Sequence, residues 1–527
     1  MLAWLAQPPT MSLMSSRVQS LISNGSGGIV VDIECSLSNN LPNIVIVGYG
    51  NRAIEEAKER VRGAFASSGL RLPRKRITIN LAPADVPKDS SSFDVGVAAA
   101  IILAGGPSAR GLASHEAVMG ELGLDGSVRP VRGIIGKIQA GRAHGITTFY
   151  IPAANVSQAQ LVPGVALVPL NSLVELAAHL SGGGNLPSVI TDPSAVTTRK
   201  RTDLDGCLNE ITGQALAKRA LEIAAAGGHN ILLNGPPGTG KSMLARALPS
   251  LLPPLTSEEM LEVTQLHSLA GQSYQQVVTA PPFRAPHHSA STAAIIGGGT
   301  SLRPGEISLA HRGVLFFDEF PEFNRPTLEA LRQPLEDQAI SLSRARDSVR
   351  FPASFILLAT ANPCPCGYYG TGKPCDCPPH AIRRYRAKLS GPIIDRIDLF
   401  CDVHEVDHGS LLENAYDKAS DGPVRARVVA ARDLQAQRYG SAGAQTLLNA
   451  TVSNRDIRMY AQVDEAAKQL LNSAAGSLNI SARAYMRTVK VARTIADLAG
   501  SRAIEPRHVS EALQYRSRSS PATGQLT

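Results

Sequence analysis

Residues 234–242 read Asn-Gly-Pro-Pro-Gly-Thr-Gly-Lys-Ser, and residues 313–319 read Gly-Val-Leu-Phe-Phe-Asp-Glu. In the first stretch Gly235, Gly240, Lys241 and Ser242 fall at the spacing of a phosphate-binding loop. Glycines let backbone N–H groups wrap phosphate oxygens, a lysine there reaches the outer phosphates, and the serine hydroxyl suits Mg²⁺. The expected nucleotide cradle is therefore Gly235, Pro236, Pro237, Gly238, Thr239, Gly240, Lys241, Ser242 and Met243. Residues 230–233 predict a buried strand before the loop, and residues 243–248 a helix whose N-terminus receives the phosphates. In the second stretch, residues 314–317 predict another buried strand, ending in Asp318 and Glu319. Asp318 is placed to hold the Mg²⁺ shell and Glu319 to polarise an attacking water. Alone, each stretch is a glycine-rich turn or an acidic strand end. Together, in this order, they imply hydrolysis of ATP with Mg²⁺.

The chain has 527 residues, enough for about three domains. Its net charge of +8 permits an anionic partner without requiring one. No run approaches the ~20 apolar residues of a membrane span, and residues 1–16 contain no basic residue ahead of Arg17. Met11 and Met14 are alternative starts. A cytoplasmic protein with no membrane partner is expected. Residues 17–181 read as an α/β domain, with strands at 29–35, 43–47 and 76–81 and helices at 53–67 and 93–103. The glycine-rich and polar residues 182–204 read as a linker. An ATPase core over 205–405, a helical lid over 406–515 and a disordered tail over 516–527 complete the expected organisation.

Thr360-Ala-Asn-Pro363 follows an apolar run and resembles the sensor-1 segment of AAA+ ATPases, in which Asn362 orients the water with Glu319. Residues 390–398, Ser-Gly-Pro-Ile-Ile-Asp-Arg-Ile-Asp, resemble the arginine-finger segment of the magnesium-chelatase and MCM-helicase branch. Arg396 is then a finger pointing into a neighbouring subunit's ATP. Ser481-Ala-Arg483 resembles the sensor-2 arginine of that branch. Without the phosphate-binding loop, the same residues read as a helix-capping asparagine and two surface ion-pairing arginines. Residues 283–291, 304–313 and 362–367 are similar to the ComM/YifB family of magnesium-chelatase-like ATPases, and the resemblance covers roughly residues 17–515. It implies an α/β chain: an N-terminal Lon-protease-like α/β domain, an AAA+ P-loop α/β core and a C-terminal helical lid. It also implies a homo-hexameric ring that translocates on DNA and drives branch migration in homologous recombination or natural transformation. Two other readings share parts of this chain: a magnesium chelatase motor subunit and an ATP-dependent Lon-like protease.

Ile340, Leu342, Val349 and Phe351 alternate around a polar tip, which predicts a hairpin. Its position resembles the pore hairpin of MCM rings, so Arg344 and Arg346 are candidate contacts to single-stranded or branched DNA. The alternative is an exposed hairpin whose arginines pair with Asp347 or Asp337. Cys364, Cys366, Cys375 and Cys377 lie within fourteen residues and suit one structural Zn²⁺, although each pair is closer in sequence than usual. Unliganded thiols or a redox pair are the alternatives. Arg383, Arg384 and Arg386 flank Tyr385 and offer either a DNA contact or a solvated helix face. His287, His288 and His311 show no spacing that closes a metal site.

In the N-terminal domain, Ser92 and Lys137 fall where strings similar to those of Lon proteases place a serine nucleophile and its lysine. Asp94, two residues on, is expected to crowd an acyl intermediate with negative charge. Ser92 also reads as the N-cap of the helix that follows. The domain is expected to be a DNA-binding or ring-organising platform without peptidase activity.

Overall fold

The computed structural model describes residues 15–24, 27–47, 52–83, 91–106, 111–193, 207–271, 276–299, 302–343, 348–388, 393–406, 421–442 and 445–516. The chain forms two compact units, one of residues 1–198 with 260–277, the other of residues 199–259 with 278–527. Residues 260–277 lie inside the stretch read as ATPase core, yet their contacts are with the first unit. Ser268 Oγ accepts from Gly133 N at 3.0 Å, and Gln276 O accepts from Gln158 Nε2 at 3.2 Å.

The first unit is built on an eight-stranded mixed sheet. Its centre is an antiparallel pair, Ser15–Asn24 with Gly27–Ser38, joined on one flank to Arg76–Ala82 and on the other, in parallel, to Glu116–Val118. The helix Asp94–Gly105 is apolar nearly all round and lies buried against this sheet, as a helix without a polar face must. It begins one residue later than the sequence suggests. Ser91–Phe93 forms a 3₁₀ turn, Phe93 occupies the N-cap, and the Ser92 hydroxyl donates to Leu21 O at 3.2 Å. Ser92 is therefore not the cap. It is buried and faces the neighbouring strand.

The second unit contains a five-stranded, wholly parallel sheet. Its strands run in the spatial order Phe283–Arg284, Val314–Phe317, Ile356–Ala361, Ile231–Asn234, Leu399–Asp402. The central strands Val314–Phe317, Ile356–Ala361 and Ile231–Asn234 are buried on both faces, apart from half-buried Asn234, as a parallel sheet with helices on both sides requires. Side-chain alternation divides them between two cores. Ile231, Leu233, Val314, Phe316 and Leu358 pack with the helices Ala215–Gly227, Lys241–Leu251, Gly422–Tyr439 and Ala482–Leu498. Leu232, Leu315, Phe317 and Leu357 pack on the opposite face. The C-terminal region is helical over Gly422–Tyr439, Asn454–Tyr460, Glu465–Ser477, Ala482–Leu498 and Pro506–Gln514, with one short ribbon, Ser441–Ala442 with Gln445–Thr446. The ribbon departs from an all-helical lid. Among the described residues, no helix is long and apolar enough to cross a membrane.

Candidate nucleotide site

Register decides which loops meet. Asn234 pairs with Ala361 and Phe317 with Ala359, so three strands end side by side at one sheet edge. Three segments leave from there: the phosphate-binding loop, Asp318–Glu319, and Asn362. In open α/β sheets the crevice outside the carboxyl ends of the strands is where ligands bind.

Gly238 and Gly240 hold left-handed φ values of 82° and 83°, which a side chain resists, and Gly240 leads directly into the helix Lys241–Leu251. A Cβ at Gly235 would sit 2.2 Å from Val403 O, so the loop also needs glycine where it passes the adjacent strand end. Lys241 is 9% exposed, and its Nζ donates to Gly235 O and Pro236 O at 2.7 Å each and to Asn362 Oδ1 at 3.1 Å. Burial lowers its pKa, while Asp318 and Glu319 oppose that shift. Ser242 Oγ donates to Asp318 Oδ2 at 3.1 Å. The residues expected to hold Mg²⁺ thus already touch.

Thr360 is a member of the site that the motif reading did not single out. Its hydroxyl donates to Asp318 Oδ1 at 2.6 Å and accepts from Glu319 N at 2.9 Å, locking the acidic strand end to the adjacent strand. The available signal was a threonine ending an apolar strand two residues before the asparagine. Glu319 has a φ of 51°, an uncommon left-handed conformation for a non-glycine residue, and its side chain is exposed beside the site. Asn362 contacts Lys241 through its side chain.

Arg396 and Arg483 lie at the other edge of the same sheet. Asn230, immediately before the strand Ile231–Asn234, donates through Nδ2 to Arg396 O at 3.0 Å, and its own carbonyl accepts from Asp398 N and Leu399 N. Arg396 and Arg483 both bond one carboxylate oxygen of Glu336 at 2.5 Å, and together they hold that carboxyl below its usual pKa. A cavity of about 240 Å³ opens beside them, lined in part by Glu336, Asp398, Arg483, Arg487 and Lys490.

The region of Ala339–Ser343 and Ser348–Pro352 forms the expected antiparallel hairpin, but Arg344 and Arg346 at its tip lie outside the described residues. Met11 and Met14 do too. Arg383, Arg384 and Arg386 are exposed on the helix Pro379–Lys388. His311 is buried, its Nδ1 accepting from Ser354 N at 3.0 Å, while the His287 and His288 rings lie tilted at 34° with centroids 4.1 Å apart. In the first unit Asp94 is buried and paired with Arg60 at 2.7 Å. The expected loose negative charge beside Ser92 is thus neutralised by an ion pair.

Three family models match the chain: "Magnesium chelatase, subunit ChlI" over residues 207–411, "Subunit ChlI of Mg-chelatase" over 33–155, and "Magnesium chelatase, subunit ChlI C-terminal" over 418–516. The competence protein ComM of Haemophilus influenzae is 41% identical over 95% of this chain and 97% of its own length. The chain belongs to the ComM/YifB family of magnesium-chelatase-like AAA+ proteins. YifB of Escherichia coli K12 is 40% identical over 92% of this chain and 94% of its own length. A Mycobacterium tuberculosis protein, Rv2897c, is 40% identical over 95% and 98%. Such coverage aligns the ComM/YifB family with both units of this chain, not with the nucleotide site alone.

Proposed function

We propose that this chain is an ATP-driven DNA motor that works as a hexameric ring in the cytoplasm and moves branch points during recombination or uptake of DNA. The convergence of Lys241, Ser242, Asp318 and Asn362 at one sheet edge carries the ATP half of this reading. Lys241 neutralises the phosphates, Ser242 and Asp318 hold Mg²⁺, Glu319 activates the water and Asn362 orients it. Arg396 and Arg483 serve a neighbouring subunit's ATP, because they lie at the sheet edge opposite their own loop. Held by Ser242 and Asp318, Mg²⁺ would supply neutralising charge to the phosphates when bound. A structural Zn²⁺ at the four cysteines is the second metal of this reading. The helical lid of this reading spans 406–515, and its core 205–405 without residues 260–277.

DNA is the favoured substrate for two reasons. A similar protein over nearly the whole chain is named a competence protein. The exposed arginines at 383, 384 and 386, together with the hairpin carrying Arg344 and Arg346, supply cations for a phosphate backbone. A magnesium chelatase motor shares the core fold, but fold alone does not transfer function. Incubation of the purified protein with ATP and a synthetic Holliday junction or fork tests the proposal. Conversion of junctions into separated duplexes that depends on ATP and on Lys241 supports it. Vigorous ATP turnover that no DNA structure stimulates, with junctions left intact, refutes it.

A further inference from the structure

The sulfur atoms of Cys364, Cys366, Cys375 and Cys377 all lie within 4.8 Å of one another. The closest pairs are 3.3 Å (Cys364–Cys366), 3.5 Å (Cys366–Cys375) and 3.7 Å (Cys364–Cys375). A tetrahedron with metal–sulfur bonds of ~2.3 Å has sulfur–sulfur edges of about 3.8 Å. All the cysteines are free, and no pair is at bonding distance. Two backbone groups point at the sulfurs: Cys366 N donates to Cys377 Sγ at 3.4 Å and Tyr369 N to Cys364 Sγ at 3.3 Å. Such N–H contacts stabilise thiolates that ligate a metal. Residues 362–378 contain neither helix nor strand, so nothing else of regular structure closes this loop.

The other side of the loop is fastened to the nucleotide site at several points. Gly367, with a φ of 88°, passes so close to the phosphate-binding loop that a Cβ there would lie 2.5 Å from Pro237 Cδ. Arg386 Nε donates to Pro363 O at 3.4 Å, and its guanidinium covers the Tyr369 ring at 4.8 Å. Lys388 Nζ donates to Pro321 O at 2.7 Å, two residues beyond Glu319. Tyr385, buried on the same helix, meets the backbone of Asn362.

We infer that the four cysteines bind one Zn²⁺ as a tetrathiolate, and that this ion braces the phosphate-binding loop against the Asn362 strand end. The metal half stands on the sulfur geometry; the bracing half rests on the ATP reading above. Four soft thiolates in a tetrahedron select zinc, or iron as the rival, and a site closed on all sides by protein ligands is structural. Each thiol would release its proton to solvent on binding, and the four metal–sulfur bonds would tie Cys364 and Cys366 to Cys375 and Cys377 across the loop. Without the ion, Gly367 is released from Pro237 and the phosphate cradle loses one wall.

The test uses the full-length protein, elemental analysis and titration with a fluorescent ATP analogue. Wild type carries about one zinc per chain. Lys241→Ala keeps its zinc and loses the nucleotide. Cys375→Ser loses zinc, and its nucleotide affinity falls roughly tenfold. Gly367→Ala keeps zinc but shows a similar fall, because its Cβ displaces Pro237. If Cys375→Ser does not fold, Gly367→Ala and chelation of zinc from folded wild type decide the matter. Iron in place of zinc, or no metal even after zinc is supplied, overturns the metal half. Unchanged nucleotide affinity after zinc removal and in Gly367→Ala overturns the brace. A zinc-loaded wild type that binds no ATP refutes the ATP reading instead, and leaves the metal count standing.

Discussion

Each unit of this molecule buries a lysine, and the two lysines live in different surroundings. Lys241 donates to two loop carbonyls and to Asn362, beside Asp318 and Glu319 at an open strand edge. Lys137 is 1% exposed, its Nζ has no hydrogen-bond partner among the described residues, and burial alone lowers its pKa to about 7. Both lysines sit in strings that resemble catalytic motifs. Only Lys241 is surrounded by groups that converge on a place where an anion can lie. In the same unit, the Ser92 hydroxyl donates to Leu21 O and Asp94 is tied to Arg60. Motif spacing proposes a reaction. Surrounding polar groups decide whether the chemistry has a place to happen.

The largest effect that would break this comparison comes from exchanging the lysines' fates. Lys241→Ala is expected to lower ATP turnover at least about 100-fold, since a phosphate-facing charge is lost. Lys137→Met is expected to leave turnover within about twofold of wild type. Equal losses in a steady-state ATPase assay would place chemistry in both units. Glu319→Gln sharpens the picture further: turnover falls by a similar factor while ATP is retained, because Glu319 acts on water and not on phosphate. A filter-binding measurement showing lost ATP would reassign Glu319 to binding.

Smaller effects follow. Replacing Arg383 and Arg384 together by Ala is expected to reduce the slope of log affinity against log salt by roughly 2 for single-stranded DNA, with basal ATPase unchanged. An unchanged slope would remove that helix as a candidate DNA contact. Lys137→Met is expected to stabilise the protein by about 1–3 kcal/mol at neutral pH. The sign follows from linkage. Between pH 7 and the ordinary lysine value of 10.5, the unfolded chain holds a proton that the folded chain does not, so wild-type stability rises with pH across that window. The mutant should lose that rise. Thermal unfolding at pH 7 and pH 10 checks it.

How much of this was legible beforehand varied by level. The α/β architecture and the three central strands of the parallel sheet followed from short apolar runs ending near Asn234, Asp318 and Asn362, whereas the outer strands Phe283–Arg284 and Leu399–Asp402 were not read as strands. The cysteine cluster was also readable from spacing. What escaped was whatever depends on contacts across the sheet. Thr360 is one threonine among many until its strand pairs beside Asp318. Glu336 sits on a helix with no motif, and only the fold brings it between Arg396 and Arg483. Ser92 looked like a helix cap because local spacing cannot show that its hydroxyl faces Leu21 O on a strand seventy-one residues earlier. Residues 260–277 lie inside the stretch read as ATPase core but belong to the first compact unit.

Lys241 and Asp318 lie at one sheet edge and Arg396 and Arg483 at the other. Under the proposed function, these are two halves of a nucleotide site that a neighbouring copy would unite. The most direct measurement mixes Arg396→Ala subunits with Lys241→Ala subunits, each inactive alone, and records ATP turnover against the mixing ratio. Some interfaces in the mixture join an intact Lys241 loop to an intact Arg396. Activity is expected to appear in the mixture and to peak near equal proportions. Mixed rings, verified by co-purification, that remain as inactive as either parent would contradict a shared site.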